Sequence, residues 1–349
     1  MEPTSDTPIT DTPLPEETPP TNGTTVADVQ QVIERVSARR RDTRELFRRF
    51  EDNPILTACD WPDMVNAVFN PAAVMFGGET LLLVRVEDRS GLSRLTVARS
   101  ENGYTGWTVD SHRTMAPNLA SWAEHWGIED PRITEIDGRY YVVYTGYSMA
   151  GPLVCMAVTD DFVNFERLGV TQVPDDKDAA LFPRRINGQW AMLHRPVSST
   201  GRVEAHIWLS WSPDLLHWGN PAPVIEARKG GWWDAAKVGL GPPPLETEAG
   251  WLVMYHGVRT TASGSLYRLG LALHDRNHPE RVIARGNEWI FGPAAPYETS
   301  GDVPDVVFPC GWILDEDGET IRMYYGAADS CVALATGRLS ELLTHLFLH

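Results

Sequence analysis

Residues 130–147 read DPRITEIDGRYYVVYTGY. A Pro-containing segment, a Gly turn and a strand rich in β-branched and aromatic residues follow one another, an order typical of an antiparallel hairpin. The same order occurs in five places, with the turns at Gly78, Gly138, Gly188, Gly250 and Gly318. Each interval between turns leaves room for one four-stranded sheet. The sequence therefore predicts an all-β fold, a five-bladed β-propeller. A β-sandwich is the alternative, but it does not explain five copies of one layout.

The N-terminal part of the chain differs from the repeats. Residues 1–27 hold six Pro, eight Thr and five acids, without Lys, Arg or aromatic residues. Such a segment buries too little apolar surface to offset its ordering entropy, so it is predicted to be a disordered tail. Residues 28–52 have apolar side chains at helical spacing, which predicts an amphipathic N-terminal helix. Residues 53–349 are predicted to form the propeller.

The other face of the predicted helix is rich in arginine. One interpretation is a solvated face with intrahelical partners, such as Glu45 with Arg49. The other is a subunit contact, which makes the helix a candidate for homo-oligomer formation, or a rim that reaches over the acidic body of the protein. The sequence leaves both open.

Composition excludes several classes of function. The chain has 349 residues, with 30 Lys plus Arg against 47 Asp plus Glu, a net charge of -17 that argues against nucleic-acid binding. No apolar run is long enough to span a membrane and the start lacks a secretory signal pattern, so we expect a cytoplasmic protein without membrane contact. Four scattered Cys and ten scattered His show no metal-ligand spacing, so no metal is expected.

The least ordinary polar residues lie beside the Pro-containing segments and just beyond the Gly turns. The first strand of each propeller blade lines the central channel, so these side chains are expected to converge near the axis. Singly, each also fits an ion pair between blades that serves no catalysis. The set is Asn70, Arg85, Asp130, Arg132, Arg184, Arg185, His194, Arg195, Lys237, His256, Asp302 and Asp305.

The cations of this set indicate an anion site. Guanidinium groups match phosphate or carboxylate in a bidentate manner, and lysine adds a point charge. The anion is inorganic phosphate, a substrate carboxylate or the protein's own aspartates, and the residues alone leave these three open. The group is Arg184, Arg185, Arg195, Lys237 and His256.

Seven strings of the sequence resemble motifs of the family 130 glycoside phosphorylases, which are β-mannoside phosphorylases with a five-bladed propeller. In order along the chain they are FNPAAV, LLLVRVED, GIEDPRI, LFPRRINGQWAMLHRP, WWDAAKVGLGPPPL, WLVMYHGV and GDVPDVVFPCG. The resemblance covers roughly residues 53–340. It implies inverting phosphorolysis of a β-mannosidic bond, with α-mannose 1-phosphate and a shortened acceptor as products and phosphate as co-substrate, without a further cofactor.

The resemblance also implies roles for single residues. Asp130 matches the general acid, and Asn70 and Arg85 match residues that hold the mannosyl unit. Asp302 resembles a carboxylate that binds mannose hydroxyls, and Asp305 stands where many members have Asn. Arg195, Lys237 and His256 match phosphate ligands, and Arg184 or Arg185 is a further candidate for that role. Apart from the resemblance, Tyr267 in loop 259–268 is a candidate to close over the site, and simple loop packing explains it equally well.

The chemistry agrees with that resemblance. Hydrolytic inversion needs an acid and a second carboxylate that activates water, whereas phosphorolysis needs one acid and a cationic seat for phosphate. The alternatives are a β-mannosidase on the same propeller, with Asp302 as base, and a non-catalytic mannoside-binding propeller. Within the resemblance, the strings FPCG and GPPP are similar to the branch of the family that acts on 1,2-linked mannooligosaccharides or on mannosyl-1,4-N-acetylglucosamine.

Acceptor preference is expected to depend on surface loops. In loop 110–126 the side chains of Trp122, His125 and Trp126 are candidates for a platform under the acceptor. Simple loop packing explains these residues equally well.

Overall fold

A computed structural model describes residues 45–197, 204–262 and 264–348, with the backbone alone for residues 111–114. The predicted tail (1–27) and residues 28–44 of the predicted helix lie outside the described residues. The described chain forms 21 strands in five antiparallel sheets.

The first three sheets, blades 1 to 3, each contain four consecutive strands. Blade 1 consists of β2 (Ala67–Phe76), β3 (Glu79–Glu87), β4 (Ser93–Ser100) and β5 (Thr108–Met115). Blade 2 consists of β6 (Ile128–Ile136), β7 (Arg139–Ser148), β8 (Gly151–Thr159) and β9 (Glu166–Gln172). Blade 3 consists of β10 (Asp176–Leu181), β11 (Trp190–Pro196), β12 (Ile207–Ser212) and β13 (Gly219–Ile225).

Blades 4 and 5 depart from this plan. Blade 4 consists of β14 (Lys237–Leu240), β15 (Leu245–Thr247), β16 (Gly250–Thr261), β17 (Gly264–His274) and β18 (Val282–Arg285). Blade 5 consists of β19 (Val307–Leu314), β20 (Thr320–Ala327), β21 (Cys331–Arg338) and, as its fourth strand, β1 (Phe47–Arg49). The all-β, five-bladed propeller predicted from the repeats is therefore confirmed.

The prediction of helix up to residue 52 is wrong for the residues that the structure describes. Phe47, Arg48 and Arg49 pair antiparallel with Gly337, Thr336 and Ala335 of β21. Phe47 is buried in the core between blades 4 and 5, and Arg48 is exposed, as strand alternation requires. Glu45 and Arg49 do form an ion pair, but not on a helix. A strand from the N-terminal side thus completes the last blade, so residues distant in sequence close the ring.

Each pair of neighbouring blades shares a hydrophobic core. Ala72 and Leu83 of blade 1 meet Ile133 and Val142 of blade 2, and equivalent clusters lie between the other four neighbouring pairs. Because all five interfaces are apolar, the polar groups of the inner strands are left to gather at the axis.

The described helices are few and short. They are a 3-10 turn at Ala58–Asp60, α1 at Pro296–Thr299 and α2 at Leu339–Leu348. Leu342 and Leu346 of α2 pack against the core between blades 4 and 5. Among the described helices, none combines the length and the apolar character that a membrane span requires.

Candidate active site at the propeller axis

Three inner strands carry the same backbone irregularity at the same end. The register of β2, β6 and β10 shifts at Asn70, Asp130 and Asp178, and these residues have φ angles of 48°, 48° and 52°. A bulge of this kind redirects one side chain out of the strand, and Asn and Asp tolerate its left-handed conformation best. The shared bulges explain why short polar side chains occupy these three positions.

Asp130 lies at the centre of a buried hydrogen-bonded group. Asn70 Nδ2 and Arg85 Nη1 both donate to Asp130 Oδ1, at 2.8 Å and 3.1 Å. Arg85 also contacts Glu129 Oε1 at 3.0 Å. Gly326 makes room for Asn70, since a Cβ at this glycine would lie 2.0 Å from Asn70 Oδ1. The sequence-predicted residues Asn70, Arg85 and Asp130 are thus brought together.

The charge of this group is controlled by the arginine. Burial acts to raise the pKa of Asp130, but Arg85, Lys177 and Arg132 outweigh it, and the pKa lies below its ordinary value. Burial raises the pKa of Glu129 against the opposing charge of Arg85. In the free protein Asp130 is therefore held as a carboxylate.

Asp329 is a carboxylate of this group that sequence reasoning missed. Burial, followed by the charge of Asp130, raises the pKa of Asp329 to about 6, and Arg85 opposes that rise. Asp302, which was predicted to bind the sugar, is instead exposed and accepts a hydrogen bond from Asn66 Nδ2 at 2.7 Å. The role of Asp302 in sugar binding stays a prediction.

A second group of charges surrounds Asp178, a further residue that the sequence reasoning missed. Arg195 Nε donates to Asp178 Oδ2 at 2.7 Å, and His256 Nε2 lies 3.5 Å from the same oxygen. Arg132 Nη2 lies 3.7 Å from Oδ1. Gly239 allows this packing, because a Cβ there would lie 2.4 Å from Asp178 and 2.5 Å from His256. One of the protein's own aspartates therefore partly balances the cations.

Two further residues of the second group, Lys237 and His256, have lowered pKa values. Burial lowers the pKa of Lys237 to about 8, with help from the positive charges of Arg195 and Lys177. Burial also lowers the pKa of His256 to about 3, against the opposing charge of Asp178. His256 is therefore neutral at pH 7 and offers a hydrogen-bonding ring nitrogen, whereas Lys237 is charged there.

Lys177 connects the two groups. Its charge contributes to the lowered pKa values of Asp130 and Asp178 and of Lys237. The strand that carries Lys177, β10, is held to β11, because Arg195 N donates to Asp176 Oδ1 at 3.0 Å. His194 Nδ1 lies 2.6 Å from Asp176 Oδ2, so this histidine supports the strand. Lys177 was also missed, although the string Asp176-Lys177-Asp178 lies near the start of an inner strand, as Asn70 and Asp130 do.

Tyr267 and Asp305 lie beside the second group. The Tyr267 ring centroid is 5.8 Å from that of His256, and Lys237 Nζ lies 5.3 Å from the Tyr267 ring centroid. Tyr267 N lies 3.5 Å from the carbonyl oxygen of Asp305, which is half-buried. The structure thus places Tyr267 next to the predicted phosphate ligands.

The structure does not bring Arg184 or Arg185 to either group. Arg184 pairs with Glu246 at 2.6 Å and lies over the Trp251 ring, and Arg185 lies over Trp190. Both arginines follow β10, whereas Asp178 stands near its start, so they lie at the opposite end of the inner strand. Their assignment to a phosphate site is corrected for this reason.

No candidate metal site is present in the described part of the chain. Its His, Cys, Asp and Glu side chains form no group of three or more that could hold an ion.

Residues 37–347 match a family model described as β-1,4-mannooligosaccharide phosphorylase of glycoside hydrolase family 130. The chain belongs to this family. Family 130 membership agrees with the five-bladed fold and with the resemblance found in the sequence motifs. It places the two charged groups at the axis in an enzyme that acts on β-mannosides.

Individual relatives add detail. A 1,2-β-oligomannan phosphorylase of Thermoanaerobacter sp. is 35% identical over 85% of this chain and 98% of its own length. A β-1,2-mannobiose phosphorylase from Listeria innocua, solved with β-1,2-mannobiose, superposes with a TM-score of 0.79 at 31% identity, covering 87% of this chain and 99% of that one.

A further family 130 structure carries a different activity in its description. It matches with a TM-score of 0.71 at 26% identity over 83% of this chain and 93% of that one. Its description states that the family contains glycoside hydrolases that target β-1,2-mannosidic linkages in Candida mannan. Both phosphorolysis and hydrolysis therefore occur on this scaffold.

Proposed function

We propose that the protein is a β-mannoside phosphorylase that removes the terminal mannose of β-1,2-linked mannooligosaccharides with inorganic phosphate. The observation that carries the proposal is the pairing of the buried acid Asp130 with a cationic group of Lys177, Arg195 and Lys237. A hydrolase needs a second carboxylate to activate water, but a phosphorylase needs this cationic seat. The linkage is inferred from the two 1,2-specific relatives.

The reaction balances with one acid. A phosphate oxygen attacks C1 of the mannosyl unit from the cationic side, and the bond from C1 to the glycosidic oxygen breaks with inversion. The leaving oxygen receives a proton that Asp130 supplies. The new ester gives up the proton that hydrogen phosphate carried, and the Asp130 carboxyl regains one. The products are α-mannose 1-phosphate and an acceptor that is one sugar shorter.

Two features of Asp130 suit this role. Both of its hydrogen bonds from Asn70 and Arg85 fall on Oδ1, so Oδ2 is the oxygen proposed to carry the proton. The cations that hold Asp130 ionised include Lys177. A phosphate dianion beside Lys177 offsets that charge and raises the pKa of Asp130. Binding of the nucleophile thereby favours protonation of the acid.

A steady-state assay of β-1,2-mannobiose cleavage at increasing phosphate concentrations tests this function. We expect a rate that saturates with phosphate and that survives treatment with EDTA, because the proposal uses no metal. Equal cleavage in phosphate-free buffer would support the hydrolase alternative instead. In the reverse direction, α-mannose 1-phosphate is offered with mannose, β-1,2-mannobiose, glucose or N-acetylglucosamine. A 1,2-linked product is expected with mannose and with β-1,2-mannobiose as acceptors.

The pH dependence of phosphate use is expected to follow Lys237. This lysine is charged below its lowered pKa of about 8 and neutral above it, so kcat/KM for phosphate should fall as the pH rises through 8. Lys237→Arg should move the fall to higher pH, since arginine stays charged. Lys229→Arg, at an exposed position, serves as the matched control. An unchanged pH profile in Lys237→Arg contradicts the assignment.

Asp329 and Asp302 form a matched test of the sugar end. We propose that the Asp329 carboxylate accepts a hydrogen bond from a mannose hydroxyl, so Asp329→Asn is expected to lower kcat/KM by about 10- to 100-fold, the range for a hydrogen bond to a charged group. Asp302→Asn should cost less than about threefold, because Asp302 is exposed and its amide replacement can still pair with Asn66. Measuring kcat/KM of both variants on the same mannoside shows which of the two carboxylates binds the sugar. A larger loss in Asp302→Asn would support the sequence-based assignment.

A further inference from the structure

An aromatic surface shares a cavity with Glu129, a neighbour of the acid group. Trp126 and Tyr147 are 45% and 40% exposed, and their ring centroids are 5.6 Å apart with the planes at 63°. They border a cavity of about 560 Å³ whose walls include Glu87, Leu92, Leu119, Trp126, Glu129 and Tyr147. A cavity of this size lies within the roughly 300–1,000 Å³ range of small-molecule sites. We call this surface the Trp126 shelf.

The Trp126 shelf is continuous with the proposed active site. Glu129 lies in the wall of the cavity and also pairs with Arg85 at 3.0 Å. Arg85 in turn contacts Asp130 at 3.1 Å. A chain that leaves the acid group on the side of Glu129 therefore enters the cavity.

The loop that carries Trp126 is firmly anchored to blade 2. Glu124, two residues earlier, is 3% exposed. Arg167 Nε donates to Glu124 Oε1 at 3.0 Å, and the Tyr144 hydroxyl donates to the same oxygen at 2.7 Å. Asn118 N donates to Glu124 Oε2 at 2.7 Å. A buried charge with this many partners holds the loop in place before any ligand arrives.

The same loop is also tied to blade 1. Gly127 has a φ of 118°, and a Cβ there would lie 3.0 Å from Ser93 N. Ser93 Oγ accepts a hydrogen bond from Arg85 Nε at 3.0 Å. Trp126 N donates to the Tyr147 carbonyl at 3.0 Å, which fixes the two aromatic residues relative to each other. The shelf and the arginine of the acid group therefore share one rigid support.

We propose that the Trp126 shelf is a binding subsite for a sugar that lies beyond the cleaved bond and its first acceptor unit. The inference rests on the proposed function and names the substrate class, mannooligosaccharides of three or more units. A Trp ring offers an apolar surface to the CH face of a sugar, as exposed Trp does where one side of a ligand is apolar and the other wet. Glu87 and Glu129 accept hydrogen bonds from the hydroxyls at the edge of that sugar.

The kinetic test compares β-1,2-mannotriose with β-1,2-mannobiose at saturating phosphate. Trp126→Ala should lower the trisaccharide-to-disaccharide ratio of kcat/KM about tenfold, which corresponds to about 1.4 kcal/mol. Trp126→Phe should recover most of the ratio. Trp122→Ala is the matched control, because Trp122 is on the same loop and 59% exposed but is not part of the cavity wall. The control should leave the ratio unchanged.

Other outcomes overturn the subsite. An unchanged trisaccharide-to-disaccharide ratio of kcat/KM in Trp126→Ala overturns it. If that ratio is unchanged and the variant also elutes at a lower mass than wild type in size-exclusion chromatography, Trp126 belongs to an interface between copies of the chain instead. A wild-type protein that cleaves neither sugar with phosphate refutes the proposed function and not the subsite. The subsite is then tested by calorimetry. Trp126→Ala should weaken mannotriose binding more than Trp122→Ala does, and equal binding refutes the subsite.

Discussion

Replacing Asp130 by Asn is expected to lower kcat for β-mannoside phosphorolysis by about 10³-fold, within the range for loss of a general acid. The fold should survive, because the amide oxygen can keep the hydrogen bonds from Asn70 and Arg85 that now fall on Oδ1. The amide nitrogen then takes the place of Oδ2, and its N–H groups are too weakly acidic to protonate the leaving oxygen. The measurement is kcat at saturating mannoside and phosphate.

Binding separates loss of the acid from loss of the site. Calorimetry should show that Asp130→Asn still binds β-1,2-mannobiose. Asp160→Asn is the control, because Asp160 forms an exposed pair with Arg139 far from the buried group. An activity within tenfold of wild type in Asp130→Asn removes this residue from the acid role.

Arg49→Met is expected to destabilise the protein by about 3 kcal/mol, at the lower end of the cost of breaking a buried ion pair. Arg49 Nε and Nη2 donate to Glu298 at 2.8 Å and 2.9 Å, and the Glu298 side chain is fully buried. The guanidinium also lies 4.3 Å from the Phe291 ring centroid. Without Arg49, the Glu298 charge keeps hydrogen bonds from Tyr325 and two backbone amides but loses its counterion.

The neighbouring residue provides the matched control. Arg48 stands on the same strand but is exposed, so Arg48→Met should change stability by less than about 0.5 kcal/mol. Urea unfolding of the full chain measures both variants. If the pair itself matters, adding Glu298→Gln to Arg49→Met should recover part of the loss. Equal stability of Arg48→Met and Arg49→Met would show that this pair does not hold the ring closed.

Most of the fold could be predicted because the sequence of a propeller repeats the same pattern in each blade. Each blade has its own Gly turn and its own apolar inner strands, so five weak patterns support one another. The segment around Phe47 had no such support. Three residues are too few to distinguish strand from helix spacing, and the partner strand β21 lies almost the whole chain away. Only the completed ring shows that a fourth strand is needed there.

The site was readable where a short motif coincides with a bulge. Asn70 and Asp130 each precede a proline at the start of an inner strand, and Asp178 has the same geometry but precedes alanine, which hid it. Arg184 is near the same strand in sequence but at its other end. A sequence motif shows which residues are close along the chain, but it does not show which end of a strand faces the substrate.

The sequence alone could not decide which anion binds to the cations at the axis. The structure shows that Asp178 is one anion among them. Asp178 binds Arg195 through Nε and lies near His256. Arg195 therefore has its two terminal nitrogens as further donors for an anion. In the proposed function, Asp178 orients the Arg195 guanidinium while phosphate binds to the same cationic group.

The central claim, inverting phosphorolysis, is tested most directly by NMR of one reaction. The protein is mixed with β-1,2-mannobiose and inorganic phosphate, and ³¹P and ¹H spectra are recorded from the first turnovers onward. We predict that α-mannose 1-phosphate and free mannose accumulate in equal amounts while inorganic phosphate declines by the same amount. Two free mannose molecules for each disaccharide, with the phosphate signal unchanged, would contradict the account.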